Sequence, residues 1–212
     1  LLRDIKLAVF DLDGTLTKPI SSWEHLHRHL GTWEANGKDN LVKFLAKEIT
    51  YDEFAYLDAI NWKGTPVTKI KEIAAKIEYI NGAELLIRKL KEKGIEIALI
   101  SGGLSVIAEK VARDFEIKYW WANELVEKNG VLTGEVKVHV SFNGKLIILQ
   151  KLLKALKIKP DQVISFGDTD GDLCLFQNSG ISIAINPISE DVAQAADYVV
   201  ESFKQVLALK II

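Results

Sequence analysis

The chain is poor in sulfur: its 212 residues include one cysteine, Cys174, and no methionine. A lone cysteine excludes an internal disulfide, and no charged-then-apolar leader opens the chain, so an intracellular, cytoplasmic protein is expected. An excess of one sign of charge is also missing. The 27 Lys and Arg set against 29 Asp and Glu leave a formal net charge of −2, without the basic footprint that nucleic acid requires. The longest apolar runs, such as IEIALI at residues 95–100, are far too short to span a bilayer. Neither nucleic acid nor a membrane is therefore expected as a partner, and a soluble protein is. Repeats, low-complexity tracts and flexible linkers are absent, and nothing in the sequence speaks to oligomeric state. What is present, 48% hydrophobic and 26% charged residues, suffices for one sizeable core with a smaller inserted module.

The stretch Lys6 to Thr17, KLAVFDLDGTLT, organises the rest. Four apolar residues, Leu7 to Phe10, run into Asp11 and Asp13, followed by Gly14 and Thr15. A short continuous apolar run bounded by a turn reads as a buried strand of a parallel sheet. Two carboxylates at the mouth of such a strand raise one another's pKa, and burial adds to this, unless a cation sits between them. A divalent metal is therefore implied.

Beyond Thr17 the texture changes. WEHLHRHL, LVKFLAKEI, YDEFAYLDAI and VTKIKEIAAKI carry apolar residues at helical spacing and are separated by Gly31, Gly37 and Gly64-Thr65-Pro66. Residues 18–79 are thus expected to form a helical insertion into a core made of 1–17 and 80–212. From Asn81 helices and strands alternate to the end. AELLIRKLKEKG is an amphipathic helix, IEIALI a buried strand, LSVIAEKVARDF a helix and IKYWWA a strand. LVEKNGVLTGEVKVHVSF alternates at period two around Asn129-Gly130, a strong hairpin signal. Helix, strand, helix, strand, helix and a final strand at Tyr198 to Val200 follow. The predicted fold is α/β: a Rossmann-like parallel sheet with helices on both faces, a small helical insertion after the first strand, and a β-hairpin.

In an open parallel sheet, ligands bind outside the carboxyl ends of the strands. Asp11 and Asp13, Ser101-Gly102, and Asp168 and Asp172 all fall at such ends, and Lys145 opens a helix between them. Carboxylates for a hard cation, with a lysine, a hydroxyl and a glycine-rich helix start for phosphoryl oxygens, are the parts needed to handle a phosphate with Mg²⁺.

DLDGT at 11–15, SGG at 101–103, Lys145 in NGKLIIL and GDTDGD at 167–172 are similar, in order, to the four motifs of the haloacid dehalogenase superfamily of phosphatases. The insertion directly after the first motif, the doubled glycine after Ser101 and the segment ANELVEKNGVLTGEV most resemble the phosphoserine phosphatase-like branch. The resemblance implies a helical cap over the site and a small phosphorylated metabolite as substrate. Asp11 would be the nucleophile, forming an aspartyl-phosphate, and Asp13 the general acid and base. Mg²⁺ would be held by Asp11, Asp168 and the carbonyl of Asp13, with Asp172 acting from behind these ligands. Ser101, Gly102 and Lys145 would bind the transferring oxygens. True dehalogenases lack the second aspartate, so the DLD pattern indicates phosphoryl chemistry.

Two positions depart from the branch. A glutamate that reads the substrate ammonium is replaced by Ile20, and Asp58 falls where a carboxylate-reading arginine belongs. Phosphoserine itself is therefore disfavoured as substrate. If Asp58 faces the pocket it selects for a cation or for hydroxyls, with Trp23 or Trp62 adding an aromatic face. Gly171 stands where the branch usually has asparagine.

Other features read as ordinary structure. His25, His27 and His29 share a helix with the middle one facing away from the outer pair, which describes surface or cap-pocket histidines better than a zinc site. Asp170 reads as a solvent-facing acid and Cys174 as a buried core residue. Gly144-Lys145 lacks the rest of a P-loop, and Gly102-Gly103 lacks dinucleotide spacing. Two alternatives remain beside the phosphatase: a phosphotransferase or mutase using the same aspartyl-phosphate, and a non-catalytic domain that binds a phosphorylated ligand.

Overall fold

The computed structural model describes residues 4–142 and 144–211. The predicted first strand, β1 (Leu7–Phe10), is buried along its whole length and lies fourth in a seven-stranded sheet. It pairs in parallel with β2 (Glu96–Leu104) on one side and β5 (Val163–Gly167) on the other. Outward from β2 come β3 (Tyr119–Lys128) and the antiparallel β4 (Val131–Lys137); outward from β5 come β6 (Ile181–Ile185) and β7 (Tyr198–Val200). The order therefore reverses at β1, which places a crevice at the carboxyl ends of β1, β2 and β5.

Period-two alternation sends β1 side chains to both faces. Ala8 and Phe10 join the larger core with the helices α5 (Ala83–Glu92), α6 (Ser105–Asp114) and α10 (Phe203–Ala208), where Phe10 stacks on Phe166 at 4.3 Å between ring centroids. Leu7 and Val9 pack on the other face against α7 (Lys145–Leu156) and α8 (Leu173–Phe176). A short helix, α9 (Glu190–Ala195), precedes β7, and α10 follows it. This is the expected Rossmann-like α/β arrangement. No helix among the described residues is long and apolar enough to cross a membrane.

Between Thr17 and Tyr79 lie α1 (Ser22–Leu30), α2 (Lys38–Leu45), α3 (Tyr51–Ile60) and α4 (Val67–Ala75), with a π-turn over Trp33–Gly37. Their boundaries follow local chemistry. The Ser21 hydroxyl accepts the Glu24 amide at the start of α1, and Gly31, at φ 72°, ends it. Thr50 and Glu53 form a capping box on α3. The two ends of this segment are tied together, with Lys18 N donating to Glu78 O and Ile80 N to Leu16 O, both at 2.9 Å. The β3–β4 hairpin turns at Asn129 and Gly130, both at positive φ, and grips the α3–α4 loop through Val67 N to Gly130 O and Leu132 N to Thr65 O.

Two strands differ from their sequence reading: β3 joins IKYWWA and the first arm of the hairpin in one strand, Tyr119–Lys128. β2 continues through Ser101-Gly102-Gly103 to Leu104, and its pairing with β3 shifts register between Ile100 and Leu104. At Gly103 the backbone passes so close to other groups that no side chain fits: a Cβ would sit 2.4 Å from Asp13 Oδ2 and 2.5 Å from Ser22 Oγ.

Candidate active site

The reversal at β1 brings the predicted residues together. Asp11 follows β1 directly and is buried, its amide donating to Phe166 O at 3.0 Å. Lys145, the first residue of α7, reaches across with Nζ 2.5 Å from Asp11 Oδ1 and 2.6 Å from Asp172 Oδ1. Burial works to lower the lysine's pKa, but the two carboxylates outweigh it and hold the ammonium above its ordinary value.

Asp168 follows β5. Its Oδ1 accepts the Thr15 hydroxyl at 2.7 Å, whereas its buried Oδ2 has no hydrogen-bond partner. The backbone closes tightly over that oxygen at Gly14, where φ is +74° and a Cβ would fall 2.2 Å from Oδ2. Burial first, then the Asp11 and Asp172 charges, push the Asp168 carboxyl upward; burial likewise raises Asp11, against the pull of Lys145. Asp11, Asp168 and Asp172 offer oxygens within 4.8 Å of one another.

This arrangement fits a hard cation. Three buried carboxylates share a single lysine, and one carboxylate oxygen is left unpartnered where a buried polar atom is costly. Asp172 has less to offer. Lys145 takes its Oδ1, and its Oδ2 accepts the Asp168 and Thr169 amides at 3.1 Å each. Close packing at Gly167 makes room for it, since a Cβ there would lie 2.4 Å from Asp172 Cγ.

Asp13 is half-buried on the crevice side. Its Oδ2 accepts the Ser22 amide at 2.8 Å and the Ser22 hydroxyl at 2.7 Å. Burial pushes its pKa to about 6, with the Ser22 donors pulling the other way. A carboxyl in that range can carry a proton and release it near neutrality. Ser101 is buried, its Oγ accepting the Gly103 amide at 2.9 Å. The Gly102 carbonyl accepts from Trp23 Nε1 at 3.1 Å, from Asn123 Nδ2 at 2.8 Å, and from the Tyr51 hydroxyl.

Asp11, Asp13, Ser101, Gly102 and Lys145 open together onto one crevice of about 140 Å³, whose wall also includes Ile20 and Trp23. Ile20 is exposed, while Trp23 is buried and presents only part of its ring.

Asp58 is a correction. It does not face the crevice: it is buried among α1, α2 and α3, with Oδ1 3.1 Å from His27 Nε2 and 2.9 Å from Asn40 Nδ2. The turn at Gly37 packs closely on the His27 ring, where a Cβ would lie 2.7 Å from it. Thr32 Oγ1 holds the other ring nitrogen at 2.7 Å. His25 and His29 lie together on the other side of α1, their rings 4.2 Å apart. Trp62 is fully buried against His27. Cys174, expected in the core, is only half-buried at the edge of the α7 packing layer, and Asp170 is exposed as expected.

Four contributors were not assigned a role from the sequence. Thr15 sits inside the DLDGT motif, yet its bond to Asp168 spans most of the chain. Ser22 reads, with Pro19 and Ser21, as a break before the helical stretches, and Tyr51 as part of the helical stretch YDEFAYLDAI. Asn123, fully buried within β3, was visible as a polar residue in an apolar strand, and it makes five hydrogen-bonding contacts: Tyr51 Oη, Gly102 O, Val140 O, and the His139 and Val140 amides.

Comparison with known proteins agrees with this geometry. A family model described as haloacid dehalogenase-like hydrolase matches residues 8–177. A phosphoserine phosphatase of Archaeoglobus fulgidus is 29% identical over 92% of this chain, which spans 57% of that relative's length. A phosphoserine phosphatase of Methanocaldococcus jannaschii is 30% identical over 89% of this chain and 90% of its own. Among solved structures, a phospho-aspartyl intermediate analogue of phosphoserine phosphatase superposes with a TM-score of 0.85 at 27% identity, covering 98% of this chain and 99% of the other.

Proposed function

From the premise that the chain belongs to the haloacid dehalogenase-like hydrolases, as a phosphoric monoester hydrolase similar to phosphoserine phosphatases, we propose a Mg²⁺-dependent phosphatase of a small cytoplasmic metabolite that works through an aspartyl-phosphate. The carrying observation is the position of Lys145 between Asp11 and Asp172 at the crevice, with Asp168, whose buried Oδ2 has no partner, grouped beside the two carboxylates. The solved neighbour with a phospho-aspartyl analogue supports the same covalent step.

Asp11, Asp168 and the Asp13 carbonyl would hold Mg²⁺, and Asp172 would orient Asp168 through its amide. The ion supplies positive charge that offsets the phosphoryl oxygens and lets Asp11 approach as a carboxylate. An Asp11 oxygen then bonds to phosphorus as the bond to the leaving oxygen breaks, and that oxygen takes the proton of Asp13. Water next attacks phosphorus, giving its proton back to Asp13, and the Asp11–phosphorus bond breaks to release phosphate. Ser101, the Gly102 amide and Lys145 bind the transferring oxygens, where a fixed charge is most effective in a buried site.

Residues 18–79 act in this reading as a cap that keeps bulk water and macromolecules from the crevice, consistent with its volume of about 140 Å³. The decisive experiment measures phosphate release from p-nitrophenyl phosphate with and without Mg²⁺, for wild type and Asp11→Asn. Turnover that needs both the metal and Asp11 supports the proposal, and turnover indifferent to either overturns it. A phosphorylated alcohol in place of free phosphate, when acceptor alcohols are added, would make the enzyme a phosphotransferase.

A further inference from the structure

Away from its catalytic groups the crevice is lined, among the described residues, mainly by carbon; the hydroxyls of Ser21 and Thr169 are taken by the Glu24 amide and by Asp172. Trp23, Leu41, Phe44, Tyr51, Phe54 and Phe142 form its wall and Ile20 its mouth. The aromatic rings make a continuous surface from α2 and α3 to the loop before α7. Phe44 lies 5.2 Å from Phe54, 5.7 Å from Tyr51 and 5.5 Å from Phe142.

The polar ends of these rings are already used. Trp23 Nε1 and the Tyr51 hydroxyl both donate to the Gly102 carbonyl, and Asn123 donates to the Tyr51 oxygen. They therefore offer a ligand mainly their carbon faces. The ionisable side chains lining the crevice are Asp11, Asp13, Tyr51 and Lys145, and the lysine is committed to Asp11 and Asp172. Asp58, the acid that the sequence placed as a reader of a cation, is buried against His27 and Asn40.

A substrate bearing an ammonium and a carboxylate would lose water to this wall and gain no partner in return, which is costly for each charge. An uncharged hydrocarbon would instead cover apolar surface that is half open: Leu41, Phe44 and Tyr51 are half-buried, and Ile20 is 64% exposed.

Resting on the phosphatase reading of the same site, we infer that the leaving alcohol of the substrate is uncharged and apolar, an aliphatic or aromatic group of about the size of an isopentyl or benzyl chain. The wall selects against amino-acid and amino-alcohol phosphates.

The test pairs turnover with binding. With saturating Mg²⁺, kcat/KM for isopentyl and benzyl phosphate should exceed that for O-phospho-L-serine and phosphoethanolamine by about tenfold or more. Ile20→Glu, at an exposed position that tolerates substitution, should narrow that ratio by raising KM for the apolar esters. Calorimetry should show pentylphosphonate binding more tightly than the phosphonate analogue of phosphoserine. Equal or faster hydrolysis of phosphoserine overturns the inference and leaves the phosphatase standing. Preferential binding of the alkylphosphonate without turnover of any ester supports the inferred class and overturns the phosphatase.

Discussion

The carboxylate of Asp13 is held by both donors of Ser22, the amide at 2.8 Å and the hydroxyl at 2.7 Å. Ser22 is the first residue of α1, and its Oγ also accepts the Leu104 amide at 2.9 Å. One hydroxyl thus joins the loop after β1, the first helix of the 18–79 segment and the end of β2. The placement of Asp13, the acid and base of the proposed mechanism, depends on how that helix sits.

Ser22→Ala should therefore lower kcat more than it changes KM. Loss of the carboxylate's own function in Asp13→Asn is expected to cost roughly 10²–10⁴-fold in kcat. Loss of one of its donors should cost less, about tenfold. Because the two residues act as a unit, the double variant should be little slower than Asp13→Asn alone, a non-additivity that steady-state kinetics on the four proteins would reveal. Additive losses would mean that Ser22 acts elsewhere.

Asn123 ties three segments at once. It donates to Gly102 O, Tyr51 Oη and Val140 O, and accepts the His139 and Val140 amides. Asn123→Ala leaves several of these buried groups unpaired, each worth about 1–3 kcal/mol. A total near 3 kcal/mol corresponds to a Tm lower by roughly 6–12 °C for a chain of this length. Thermal melts by circular dichroism check this, and a change below about 2 °C would show that the network is dispensable.

Much of this site was legible because its residues sit in short motifs at strand ends, and a parallel sheet gathers strand ends in one place. Asp11, Asp13, Ser101, Gly102, Lys145 and Asp168 were singled out in that way; the first five line the crevice, and Asp168 offers an oxygen within 4.8 Å of one on Asp11. The supporting contacts were not, because they join residues far apart in the chain: Thr15 to Asp168, Ser22 to Leu104, Asn123 to Tyr51. Asp58 was misplaced for a related reason. Matching its segment to the resembled branch put it where a substrate-reading arginine belongs, but its side chain meets His27 and Asn40, from other elements of the same segment.

Asp58 should accordingly behave as a structural residue. Removing Asp58 leaves the buried His27 and Asn40 groups without their acceptor, and at about 1–3 kcal/mol for each unpaired buried group Asp58→Ala should destabilise the protein by that order. The ratio of kcat/KM between two different esters should stay as in wild type, since the carboxylate does not line the crevice. Urea unfolding and a two-substrate assay separate these effects. A changed substrate ratio with unchanged stability would return Asp58 to the binding site.

Asp168 should respond to metal in the opposite sense from an ordinary structural acid. Without a cation its carboxylate is buried beside Asp11 and Asp172, with one oxygen unpartnered, so its charge works against folding. In EDTA at pH 8, Asp168→Asn should be more stable than wild type by about 1–2 kcal/mol, or roughly 2–8 °C in Tm. Adding Mg²⁺ should reverse the order. Wild type gains about 2.7 kcal/mol when the metal is at a hundredfold excess over its Kd, and the variant gains far less because it has lost a ligand. The crossing of the two Tm curves as Mg²⁺ is titrated is the signature to look for in calorimetric scans. Two parallel curves would show that Asp168 does not hold the ion.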